Sequence, residues 1–307
     1  MSMNHSLFGV IALPVLSRLY ARSIDIPTLD EQYGWEFRTK HGLALEMVRN
    51  AKASLRALGS EAKFMVIFGG AYVARNLVKP LANDGMTIVS RLRRDAKLFD
   101  LPGPATGKAG RPQVYGKDRV SLATRAAQGE GWSEVRYKCR GVMVTGHCKT
   151  FAATSKVVGG AIRVVLLKHP QGTWAAYFST DVTQATEQIL DAASDLCTIE
   201  EHFHDVKEVW GASEQQVRNL WSNIGCWSLC TWLYTLVELK CWEEVPEGLV
   251  DRSDRPWDNP DRRPSHADRR RRIARKILKN ELLKDLSPGL EDSKSRHGIE
   301  NLLSLAA

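Results

Sequence analysis

The chain has 307 residues, 43% hydrophobic, 8% aromatic and 25% charged, which excludes a disordered or fibrous protein and suits one large α/β domain or two small ones. Lysine and arginine number 43 against 35 acidic residues, and the net charge of +8 points to a polyanionic partner. Six cysteines without a C-x-x-C pair give little support to a disulfide framework or a zinc site, and a reducing, cytoplasmic compartment is expected.

In chain order, the apolar stretch Leu7 to Leu16 holds Pro14 and lacks both a basic flank and a cleavage site, so it reads as core rather than as a leader. Residues 36 to 58 carry Leu43, Leu45, Met47, Val48 and Leu55 at helical spacing and predict an amphipathic helix ending near Gly59. The run Phe64 to Phe68 predicts a strand buried on both faces, closed by Gly69-Gly70. A short helix from Tyr72 to Ala82, a turn at Asp84-Gly85 and a buried strand Met86 to Val89 complete a βαβ unit. From Asp95 to Gly131 glycine, proline and basic residues predict an exposed loop. Val135 to Val144, Ala161 to Leu167 and Trp174 to Phe178 predict strands, the last two a hairpin across Pro170-Gln171-Gly172.

Asp181 and Gln184 resemble a capping box opening one helix with Ile189, Leu196, Ile199, Phe203, Val206 and Trp210 on its apolar face. Gly211 stops it, and Ser213 with Gln216 recaps a second helix to about Trp242, whose apolar run Ile224 to Val237 is too short for a bilayer and predicts a buried helix. Tryptophans 210, 221, 227, 232 and 242 are read as core, with base stacking the other reading.

Glu200, His204 and Lys207 share one stripe of the first of these helices, either a solvated face or a metal-holding carboxylate with a phosphate-gripping lysine. His202 and His204 beside Glu200 and Asp205 lack a third ligand group at a known metal spacing. Residues 91 to 119 hold eight basic and three acidic side chains, and residues 252 to 279 hold eleven and four, centred on Arg269 to Arg272. Arginine clusters suit bidentate phosphate contacts, so Arg91, Arg93, Arg94, Arg111 and Arg218 are the candidate nucleic-acid residues, together with Lys207. The tail cluster reads equally as a solvated basic helix or flexible tail.

Four stretches carry a resemblance. They are Phe68-Gly69-Gly70-Ala71-Tyr72, then Val89 to Asp95 with Gly110-Arg111-Pro112, then Ile199-Glu200 through Val206-Lys207, and finally Pro264-Ser265-His266-Ala267-Asp268. In order and spacing they resemble the DDE transposases of bacterial insertion sequences. That resemblance implies an α/β fold with a ribonuclease H-like mixed sheet flanked by helices, a β-rich insertion and a basic C-terminal tail. It implies a core begun by residues 1–94, a loop and β insertion in 95–178, the glutamate helix and a following core helix in 179–242, and a partly flexible tail in 243–307.

In that family two aspartates and a glutamate hold two divalent cations, usually Mg²⁺, that cut and join DNA at transposon ends and target. Glu200 would be the catalytic, metal-holding glutamate and Lys207 its DNA-contacting companion. The second aspartate position is Gly69, and the family's tyrosine and arginine ahead of the glutamate fall on Ala193 and Leu196. The first aspartate would lie upstream of Met1; Asp25 and Asp84 are the carboxylates weighed as substitutes. The expectation is therefore an N-terminally truncated, catalytically deficient relative that binds DNA, with no membrane partner and a homodimer considered. The alternative is a non-catalytic DNA-binding protein or transposition inhibitor.

Overall fold

A computed structural model describes residues 1–5, 9–104, 112–169, 171–242, 257–259, 262–286 and 297–298. The chain forms two compact units, one of Val15–Cys197 and one of Met1–Pro14 with Thr198–Ala307.

The first unit is built on a sheet. Helix α1 (Ile26–Tyr33), absent from the sequence expectation, is framed by a proline in its first turn and by Gly34 at a left-handed φ of 62°. Helix α2 (Lys40–Ala57) starts after the Thr39 hydroxyl accepts from the Gly42 amide at 3.1 Å, and its Leu45 and Val48 pack on the main core. Strand β3 (Met65–Phe68) leads through α3 (Arg75–Asn83) to β4 (Thr87–Leu92), and the two strands pair in parallel, as the βαβ reading expects. Helix α3 seats Leu77, Val78 and Leu81 in the core.

The remaining strands are β5 (Leu98–Phe99), β6 (Arg119–Val120), β7 (Ser133–Cys139), β8 (Val142–Ser155), β9 (Gly160–Lys168) and β10 (Trp174–Ser179). With them the sheet runs β3-β4-β10-β9-β8-β5-β6, and β7 also pairs with β8, making eight strands among the described residues. Every pairing but β3 with β4 is antiparallel, so the protein is mixed α/β with a mixed sheet flanked by helices. The β9–β10 hairpin agrees with the sequence reading.

Several expectations for this unit are corrected. Strand β3 is a sheet edge with Met65 exposed, so its unbroken apolar run does not signal burial on both faces. Residues 95 to 131 are not simply an exposed loop. Leu98, Val120 and Leu122, the last in helix α4 (Leu122–Ala127), are core residues. Within that stretch Arg111 and the rest of 105–111 lie outside the described residues. The strand expected over Val135 to Val144 is folded in two, because Arg140 and Gly141 take φ of 51° and 81° and make a tight turn between β7 and β8. Asp181 does not cap a helix; its Oδ1 accepts from the Thr183 amide at 2.9 Å, and helix α5 (Thr186–Asp195) starts after Ala185 without a side-chain cap.

The expected long helix also breaks at Leu196, and α6 (Cys197–Glu208) continues as a separate element with Ile199 and Phe203 exposed. It belongs to the second unit, with strands β1 (Ser2–His5) and β2 (Gly9–Ala12), paired antiparallel, and helices α7 (Leu220–Lys240) and α8 (His266–Leu286). Ile11, Leu13, Val206, Ala212, Cys230, Tyr234 and Cys241 form its core. The cap of α7 is Asn219, whose Oδ1 accepts from the Trp221 amide at 2.8 Å, rather than Ser213.

Helix α7 is not buried all round. Trp232 is 71% exposed, and Trp221, Leu229, Leu236 and Leu239 are each at least half exposed. Trp210, Trp227 and Trp242 do pack on the core, so the core reading of the tryptophans fails only for Trp221 and Trp232. No helix among the described residues is long and apolar enough to cross a membrane. All six cysteines are free thiols.

Candidate functional site

Glu200 lies in the first turn of α6, exposed, and lines a cavity of about 640 Å³ within the second unit. The same cavity is lined by His204 and Asp205 one turn on, and by Tyr234, Arg262 and Arg269. Helical spacing explains the first part of this set, since Glu200 with His204, and Glu201 with Asp205, are four residues apart and so share a face. Lys207, in the last turn of α6, is exposed and is not among the lining residues. Asp205 is half-buried. Burial raises its carboxyl above the ordinary value, and its Oδ1 lies 3.7 Å from Nδ1 of His204.

His266 and Arg269 of the cavity wall belong to a buried polar network that the sequence reading did not foresee. Glu238 of α7 and His266 of α8 are buried, and Trp210 Nε1 donates to His266 Nε2 at 2.8 Å. The ring must therefore carry its proton on Nδ1, which donates to Glu238 Oε1 at 2.5 Å. Arg269 donates to the same oxygen from Nη2 at 2.7 Å and from Nε at 3.1 Å. Burial would raise the Glu238 carboxyl, but the His266 hydrogen bond and the Arg269 charge outweigh it and hold it below the ordinary value. Its Oε2 has no partner among the described residues.

Tyr234 stacks on His266 with ring centroids 4.2 Å apart and meets His202 edge-on at 4.4 Å. Burial lowers His202 to about 4, so it is neutral near pH 7. The segment Pro264 to Asp268 caps α8: the Ser265 amide donates to Asp268 Oδ2 at 2.8 Å, and the Asp268 amide donates back to Ser265 Oγ at 3.3 Å.

The tail arginines in this unit are largely engaged inside the protein. Arg262 pairs with Asp258 at 2.7 Å and with Asp268, Arg271 pairs with Asp268 at 2.6 Å, and Arg270 lies over the Trp210 ring. Reading the tail as a free phosphate-binding patch is thus corrected for these residues, while 243–256 and 260–261 lie outside the described residues. Arg218 is exposed in the segment before α7.

In the sheet unit, Arg91, Arg93 and Arg94 are all exposed at the carboxyl end of β4. Strand geometry sends Arg91 outward opposite the buried Leu92, and pairs it across the sheet with Tyr177. Arg94 lies over the Trp174 ring at 5.0 Å and donates to the Trp174 carbonyl at 3.2 Å, which holds its guanidinium in place. Arg93 shares an exposed ion pair with Asp95 at 3.2 Å. The structure thus brings three of the candidate phosphate contacts together on one strand end.

The described residues do not fit a two-Mg²⁺ centre. Each ion needs several oxygen ligands and the pair needs a bridging carboxylate. Among the described residues no group of three or more Asp, Glu, His or Cys side chains is placed to hold a metal. Glu201 pairs with Arg263 at 3.3 Å, Asp84 with Arg49 at 2.7 Å, and Asp25 with Arg22 at 2.8 Å. Gly69 supplies no ligand, although a Cβ built there meets nothing within 4 Å, so packing does not demand a glycine. Comparison with protein-family models and with curated proteins gives no match to this chain.

Proposed function

We propose that the chain is a ribonuclease H-like relative of the DDE transposases that binds DNA without cutting it. The observation that carries this reading is the guanidinium cluster Arg91, Arg93 and Arg94 at the end of β4, exposed and partly fixed by Trp174. Guanidinium groups so held contact consecutive phosphates at a low entropic cost. The parallel β3–α3–β4 unit and the glutamate of α6 are the parts of the transposase pattern that support the kinship. Catalysis is set aside because strand cleavage through two cations needs three convergent carboxylates, and Glu200 stands without two such companions among the described residues.

The test uses the full chain and a linear DNA duplex in Mg²⁺ or Mn²⁺. The reading expects retention of the duplex, no nicks, and the same affinity for Glu200→Gln. Nicking that Glu200→Gln abolishes would make the protein a working nuclease and overturn it.

A further inference from the structure

At the carboxyl ends of the two parallel strands a second cavity, of about 460 Å³, opens within the sheet unit. Gly70, just past β3, and Leu92, the last residue of β4, contribute to its wall. This is where open α/β sheets place their ligands, since loops diverge beyond strand ends and leave a crevice. The backbone approaches closely there: a Cβ on Gly70 would stand 3.2 Å from the Arg91 carbonyl oxygen.

The floor is apolar. Val73, Ala96, Phe99 and Val157 line it half-buried, while Leu98, Ile162 and Phe178, also in its wall, belong to the main core and expose essentially no surface. The one hydroxyl in the lining, that of Ser155, already accepts from the Val157 amide at 3.3 Å. A ligand with several polar edges, such as a nucleobase, would bury most of them there without partners, which costs on the order of 1–3 kcal/mol per group.

The mouth is cationic. Arg93, Lys97 and Lys156 line the cavity, and the Lys156 ammonium sits 4.8 Å from the Phe99 ring centroid. Neither Lys97 nor Lys156 is in an ion pair among the described residues, whereas Arg93 shares Asp95. An apolar floor under a cationic mouth selects one chemistry: an apolar body ending in an anion.

We propose that this cavity binds a small amphipathic carboxylate, its hydrocarbon part against Val73, Ala96, Phe99 and Val157 and its carboxylate between Lys97 and Lys156. The site shares Arg93 with the proposed DNA contact but does not depend on that reading. The test is isothermal titration of the full chain with decanoate, with 1-decanol as the uncharged probe. Decanoate should bind at one site per chain, and decanol roughly tenfold more weakly. Lys97→Glu with Lys156→Glu, both surface changes, should weaken decanoate by about tenfold or more and leave decanol unchanged. Ala96→Phe, which narrows the cavity, should weaken both. The proposal is overturned if decanoate does not bind, if decanol binds as well as decanoate, or if the double variant, shown folded by circular dichroism, keeps the parent affinity.

Discussion

The two units of the chain differ in what they bury beside their apolar cores. In the sheet unit the deepest side chains are Phe178, Leu77, Leu81, Ile88 and Ile162, and the arginines at the end of β4 face water. In the helical unit Glu238, His266 and Arg269 are inside, while Trp232 and Leu236 face solvent. The sheet unit buries the Lys149 ammonium against the neutral carbonyls of Arg125 and Gln128. The contact between α7 and α8 is instead organised by a carboxylate, which is a specific but unforgiving device because a buried charge tolerates no missing partner.

The sharpest way to break this contrast is Arg269→Met. It leaves Glu238 buried with one of its two charged or polar partners gone, and should cost about 3–5 kcal/mol in chemical denaturation. Adding Glu238→Leu to it should recover most of that loss, whereas an unrecovered loss would mean the network does more than neutralise itself. No such rescue is available in the sheet unit, where Phe178→Ala removes only packing and should cost about 3–5 kcal/mol.

A smaller effect separates the units by pH. Asp195, half-buried at the end of α5, is raised to about 6 by burial, then by the charge of Asp191, with Lys138 opposing. Its folded value lies above the unfolded one, so it costs nothing below about 3.8, the cost grows between 3.8 and 6, and it is complete above that. Asp195→Asn should therefore stabilise the protein at pH 7 by about 1 kcal/mol, after discounting for its partial exposure, and change nothing at pH 3.5. A melting-temperature series across that range checks it. The smallest effect is expected at Trp232→Gln, which should shift stability by less than about 0.5 kcal/mol yet raise solubility measurably, as the side chain already faces water.

What the sequence made legible follows the same division. The βαβ unit and the β9–β10 hairpin were readable because their apolar runs are short, β-rich and bounded by glycine or proline. The turn at Arg140-Gly141 was not, because arginine is an uncommon residue at positive φ and Gly141 alone is a weak signal inside a β-rich run. Hydrophobicity placed α7 in the core but could not say which of its faces would be covered. Its most informative residue was Glu238, a lone acid in an apolar stretch, which reads as the polar end of a run until His266 and Arg269 arrive from 28 and 31 residues away. Of the candidate site, the arginine cluster at 91, 93 and 94 and the cavity position of Glu200 were within reach of spacing arguments. The engagement of the tail arginines was not, since charge counts are blind to pairing.

The most direct test of the DNA-binding account is the salt dependence of duplex affinity for the parent and for Arg91→Ala with Arg93→Ala and Arg94→Ala. If these guanidiniums each neutralise a phosphate, the slope of log K against log salt should fall in magnitude by about 2 to 3. An unchanged slope would show that the cluster does not touch the DNA backbone, and would contradict the proposed function.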